Sequence, residues 1–146
     1  MAILIQPNQS AFIRTRLIHE NYKAVNLTGK FLHRRKVSSV LLKLDIAKAF
    51  DTVNWQFLLS LLSGLGFSKR WINWISMFLS TASTRVLLNG SRGQRISHAR
   101  GLRQGDPLSP LLFVLVMETL NSLLKLAETM GLLQPLHAQI KERIFL

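Results

Sequence analysis

The spacing of apolar and polar positions changes along the chain in a way that marks out successive elements. Between Gln9 and Val25 the pattern is mixed and turns helical in its second half. Lys30, Arg34, Arg35 and Lys36 then crowd into a stretch that reads as an exposed basic loop or turn. Val40, Leu42, Leu44 and Ile46 alternate with Leu41, Lys43 and Asp45, which is the period of a β-strand with one wholly aliphatic face. Asp51 and Thr52 are N-cap residues for a helix over about Val53 to Ser63, closed by Gly64 and Gly66. Ser68 caps a second helix, in which Trp71, Ile72, Ile75, Phe78 and Leu79 follow the helical period. Arg85 to Leu88 is strand-like and runs into Asn89-Gly90, a strong hairpin signal, with Gln94 to His98 as the returning strand. Ser109-Pro110 opens a long helix, a cap followed by proline. Leu111, Leu112, Leu115, Leu120, Leu123, Leu124 and Ala127 form its inward stripe, and Gly131 stops it. The order helix, strand, two helices, hairpin, helix defines an α+β domain, and Glu142 to Leu146 begins a further apolar segment.

Composition narrows the classes open to such a domain. A length of 146 residues suits one domain, and no linker, repeat or low-complexity tract divides it. Hydrophobic residues make up 48% and charged residues 18%, which is enough apolar matter for a core and argues against intrinsic disorder. The absence of cysteine removes a disulfide framework, a thiolate zinc site and a cysteine nucleophile together. The charge is lopsided, with 19 Lys and Arg against 7 Asp and Glu for a net of +12, and such a surplus calls for an anionic partner. Leu111 to Met117 is the longest uncharged apolar run and falls far short of the roughly 20 residues of a bilayer span. The anionic partner is most often nucleic acid or an acidic membrane face, and the chain reads as a soluble intracellular protein rather than one that spans a membrane.

With so few acids, each can be weighed. Glu20, Glu118, Glu128 and Glu142 lie in helical or polar surroundings, and Asp106 in Gly105-Asp106-Pro107 reads as a turn or cap residue. Asp45 differs, because it ends an aliphatic strand, where an unpaired carboxylate is expensive to bury. Either a basic side chain such as Lys43 or a divalent cation would have to face it. The four histidines have no ligand spacing and are assigned no metal.

Leu44 to Asp51, reading Leu-Asp-Ile-Ala-Lys-Ala-Phe-Asp, resembles the first catalytic motif of reverse transcriptases. Gly101 to Pro110, reading Gly-Leu-Arg-Gln-Gly-Asp-Pro-Leu-Ser-Pro, resembles their second palm motif more closely still. Pro7-Asn8-Gln9-Ser10-Ala11-Phe12-Ile13 followed by Arg16-Leu17-Ile18 is similar to the fingers motif of the non-LTR retrotransposon branch, especially plant LINE-type elements, although Thr15 departs from the usual glycine. Trp55, Gly66-Phe67, Trp71 and Leu88-Asn89-Gly90 fall in matching order. The resemblance covers nearly the whole chain. It implies the partial fingers and palm of a right-hand polymerase, helix-rich with a small antiparallel sheet, with residues 1–39 fingers-like and 40–146 palm-like.

What the resemblance implies for function is RNA-directed DNA synthesis, by phosphoryl transfer assisted by two Mg2+ (or Mn2+) ions. Its partners would be an RNA template, a DNA primer and deoxynucleotides. Asp45 would be catalytic and hold metal together with the Ile46 carbonyl. Phe50 would pack beneath the incoming sugar, Arg103, Gln104 and Gly105 would line the nucleotide pocket, and Arg14, Arg16 and Arg100 would contact nucleic acid. Glycine at Gly101 and Gly105 would in any case let backbone approach a ligand closely. The family's third motif, an aromatic and a small residue followed by two aspartates, is missing, since no Asp-Asp pair occurs in the chain. Arg143 to Leu146 resembles the segment just before that motif. The expectation is therefore a truncated, inactive reverse transcriptase domain. Two alternatives stay open: a catalytically dead RNA- or DNA-binding remnant, such as a maturase-like module, and a gene product without function.

Overall fold

Local capping decides where the helices begin. In the structure, a computed structural model that describes residues 4–134, the order is α1 (Ile18–Arg34), α2 (Trp55–Gly64), α3 (Lys69–Ser80), β1 (Ser83–Leu88), β2 (Ser91–Ser97) and α4 (Ser109–Thr129). Ser68 caps α3 as its sequence requires, its side chain accepting from the Trp71 amide at 3.4 Å. The cap of α2 is Asn54 rather than Asp51 or Thr52: the Asn54 side chain accepts from the Phe57 amide at 3.0 Å. Asp51 and Thr52 belong instead to a turn around Lys48, whose carbonyl accepts from both their amides. Asn54→Ala should cost about 1 kcal/mol, the usual worth of such a cap. A denaturant midpoint unchanged from wild type would refute that assignment.

The helix ends follow one device. After α2, the Phe67 amide returns to Leu62 and the Gly66 amide to Ser63, with Gly66 at φ +82°, the geometry of a Schellman motif. Gly131 closes α4 in the same way at φ +73°. Lys36 closes α1 at φ +52°, so the helix runs through Lys30 and Arg34, and the expected basic loop is the last turn of α1 and its cap.

The chain forms two compact units, one of residues 1–45 with 117–146 and one of residues 46–116. In the second, Leu58 and Leu62 of α2, Ile75 and Leu79 of α3, and Leu112, Val114 and Leu115 of α4 supply the buried apolar side chains. The antiparallel hairpin turns at Asn89 (φ +48°) and Gly90 (φ +80°), the two left-handed residues that a type I′ turn demands.

In the first unit, a polar strip ties the N-terminal loop to α4. Glu118 accepts from the Gln6 amide at 3.1 Å, Asn8 donates to Asn121 at 3.0 Å, and Lys125 donates to the Gln6 side chain at 2.6 Å. By length and composition α4 is apolar enough to cross a membrane. Only 17% of that apolar window is buried, and its Glu118, Asn121 and Lys125 are the groups that bond the N-terminal loop.

Two expectations fail here. Residues 37–46 form no strand among the described residues, and Val40 is 95% exposed with Leu41, Leu42 and Leu44 also open to solvent. A strand exists only with a neighbour to pair with, and alternation alone supplies none. Leu123 and Leu124, expected on the inward stripe of α4, are exposed. The segment from Glu142 to Leu146 lies outside the described residues.

Candidate functional site

The site is organised by the way the segment after Phe50 is fastened to the loop that begins at Gly101. The Leu102 amide donates to the Phe50 carbonyl at 2.8 Å, and the Gly101 amide donates to the Val53 carbonyl at 2.8 Å. The indole N–H of Trp55, in the first turn of α2, donates to the Gly101 carbonyl at 2.7 Å. Gly101 is buried at φ +88°, and a Cβ there would stand 2.8 Å from the Asp51 carbonyl oxygen. The close approach expected of this glycine is therefore to the chain's own backbone, not to a ligand.

Beyond this fastening the loop turns at Gln104-Gly105, with Gly105 at φ +86° and open space where a side chain would be. Asp106 then accepts from the Leu108 amide at 2.9 Å. That makes Asp106 the residue that starts the approach to α4. Ser109, expected as the cap, is buried with its hydroxyl unpartnered.

A cleft of about 470 Å³ opens beside this loop, and Asp51, Thr84, His98, Arg100, Arg103 and Gln104 are among the residues that line it. Arg103 lies over the Phe78 ring at 5.5 Å, a cation–π contact that aims its guanidinium while leaving its donors available. The Thr84 hydroxyl and His98 Nε2 are 2.7 Å apart. The cleft thus offers two guanidinium groups, a carboxamide, a hydroxyl and an imidazole beside one carboxylate, a set whose cationic donors suit phosphate and whose acceptors suit hydroxyl groups of a ligand.

Of the residues singled out in the sequence, Arg100, Arg103 and Gln104 come together at this cleft, and Gly105 follows at the turn. Phe50 is half-buried and stacks on Phe113, with ring centroids 4.6 Å apart and planes at 19°. Asp45 and Ile46 lie on exposed chain, and Asp45 makes no hydrogen bond or ion pair with a described residue. The burial that made its charge expensive is absent. Arg14 is exposed, whereas Arg16 spends its guanidinium on three backbone carbonyls, those of Gln6 (2.5 Å), Gln9 (2.6 Å) and Ile5 (3.3 Å). Arg16 thus holds the N-terminal loop in shape. Sequence reasoning missed Asp51, Thr84 and His98, and only the Thr84 and His98 pairing across the base of the hairpin could have pointed to the last two.

A two-ion site needs several carboxylates in one place. Among the described residues there is no group of three or more His, Cys, Asp or Glu that could hold a metal. Asp45 with the Ile46 carbonyl is thus too small a donor set for two ions.

The chain belongs to the reverse transcriptase (RNA-dependent DNA polymerase) family, whose pattern matches residues 1–136. Members of this family use divalent metal ions. Within it the chain is a reverse transcriptase domain of the non-LTR retrotransposon type. It is 32% identical over 125 residues, 86% of its length, to the 149 kDa protein of transposon TX1 of Xenopus laevis, of which this covers 10%. It is 34% identical over 130 residues, 89% of its length, to the Pol polyprotein of the type-1 retrotransposable element R2 of Nasonia vitripennis, of which this covers 12%. It is also 47% identical over 45 residues, 31% of its length, to an uncharacterised mitochondrial protein of Arabidopsis thaliana, of which this covers 37%. The chain thus spans about a tenth of the length of the two element proteins.

Proposed function

We propose that the chain is part of an RNA-directed DNA polymerase of a plant LINE-type retrotransposon, which copies an RNA template by adding deoxynucleotides to a DNA primer. Residues 1–39 would be fingers-like and residues 40–146 palm-like. The observation that carries the reading is the fastening of residues 50–53 to Gly101-Leu102, which sets Arg100, Arg103 and Gln104 around one cleft. In this reading Arg103, Gln104 and Gly105 receive the nucleotide, Arg14, Arg16 and Arg100 lie near nucleic acid, and Phe50 excludes a sugar 2′-hydroxyl. Asp45, with the Ile46 carbonyl, is the carboxylate that would hold Mg2+ or Mn2+ in the complete site. The short match to an Arabidopsis thaliana protein supports the plant-type assignment.

The polypeptide of these residues alone carries no Asp-Asp pair, so its own activity in this reading is binding without synthesis. A gel shift with primer annealed to an RNA template should give a salt-sensitive complex, and primer extension with magnesium should give no product. Extension that Asp45→Asn abolishes would overturn the second statement. Absence of any complex at low salt would overturn the first.

A further inference from the structure

The hairpin carries arginines that no side-chain contact among the described residues explains. β1 and β2 are exposed along nearly their whole length, and in their register Arg85 stands directly opposite Arg95 while Leu87 faces Arg92. Like charges directly opposed on one sheet face repel. None of the three guanidinium groups makes a hydrogen bond or ion pair with a described residue.

The three share a face only because of an irregularity. On a regular strand, residues three apart such as Arg92 and Arg95 point to opposite sides. The register slips by one between Arg85 and Leu87, so that β2 carries an extra residue opposite Val86, and this bulge turns Arg92 to the side of Arg95 and Arg85. Gly93 sits in the bulge, where a Cβ would come within 3.0 Å of the Val86 carbonyl oxygen. Ser83 and Thr84, at the start of β1, line the cleft, with Thr84 on the other face and paired with His98, and none of the three arginines lines it.

We propose that Arg85, Arg92 and Arg95 form a second anion-binding face, separate from the cleft, that docks a DNA duplex through its phosphate backbone. The inference rests on the reading of the chain as a nucleic-acid-handling protein. A repelling arginine pair is relieved by phosphates, which guanidinium groups bind with two donors at once. From Ser83 to Ser97 there is no aromatic side chain on which splayed bases of a single strand could stack. A ribbon of two strands about 4.8 Å apart fits the roughly 12 Å major groove of B-form DNA, whereas the deep, narrow groove of A-form RNA excludes it.

The test compares the 146-residue chain with Arg85→Gln/Arg92→Gln/Arg95→Gln and with a charge-matched control on α1, Lys23→Gln/Lys30→Gln/Arg34→Gln. Binding to a short DNA duplex is followed by fluorescence anisotropy across salt. The hairpin variant should bind roughly tenfold more weakly and lower the log–log salt slope by about 2 to 3, at about 0.9 for each lost phosphate contact. The control should change the slope by less than one contact. The hairpin variant should also melt no lower than wild type, because the Arg85 and Arg95 repulsion is gone. Equal losses in both variants, equal losses on RNA duplex or single strand, or displacement by poly-glutamate as readily as by DNA would each overturn the proposal. Failure of the wild-type chain to bind any nucleic acid would instead sink the functional reading beneath it.

Discussion

Gly101→Ala should lower the unfolding free energy by about 3 kcal/mol, because the position combines left-handed backbone with contact to another backbone segment. At φ +88° a side chain is strained wherever it points, and here a Cβ would meet the Asp51 carbonyl oxygen at 2.8 Å and the Asp51 Cα at 3.0 Å. Neither atom can swing aside as the end of a long side chain could. The residues flanking Asp51 are held by the Leu102 amide on Phe50 and the Gly101 amide on Val53, so relief means giving up those hydrogen bonds. Trp55 would lose its carbonyl partner at Gly101 as the loop withdrew. Denaturant unfolding measures the loss, and a midpoint equal to wild type would mean that the fastening is looser than the distances imply. In the proposed reading the same variant should also lose nucleotide affinity at the cleft, since Arg100 immediately precedes Gly101 and Arg103 and Gln104 follow it closely.

That fastening separates what the sequence could disclose from what it could not. The Asn89-Gly90 turn and the Ser68 cap are legible because their causes are local: two residues that tolerate positive φ, and a hydroxyl three residues before the amide it receives. The cap of α2 is less legible, since Asp51, Thr52 and Asn54 all qualify by type and only the turn around Lys48 decides among them. The strand expected at Val40 to Ile46 fails because alternation describes how a segment would pair without supplying a partner. Asp45 fails with it as a buried charge, since the cost assigned to that carboxylate presupposed the strand. Arg16 presents a different limit. Its three acceptors are main-chain carbonyls, which every residue possesses and no residue type announces. Of the motif at Gly101 to Pro110, the stretch from Gly101 to Gln104 lines the cleft. Thr84 and His98 join it through a hairpin that brings together residues fourteen apart.

A large loss from a single truncation is expected at Leu58, where Leu58→Ala should cost about 2–5 kcal/mol, the range for deleting a fully buried leucine side chain. Leu58 is 0% exposed, as is Leu62 one turn further along the same helix, while Ile75 and Leu79 are buried on α3. Close packing leaves no ready means of filling the void, so the transfer term and the cavity term add. Trp55 lies three residues before Leu58, on the same side of α2, and its indole N–H is the donor to Gly101. A helix that settles toward the cavity would carry that donor out of line with its acceptor, so stability and the shape of the cleft should fail together. Trp55→Phe distinguishes the two effects: it keeps most of the apolar bulk, removes the 2.7 Å hydrogen bond, and should cost only about 1 to 3 kcal/mol. If Leu58→Ala unfolds at the same denaturant concentration as wild type, α2 is not packed as described, and the positioning of Gly101 by Trp55 loses its support.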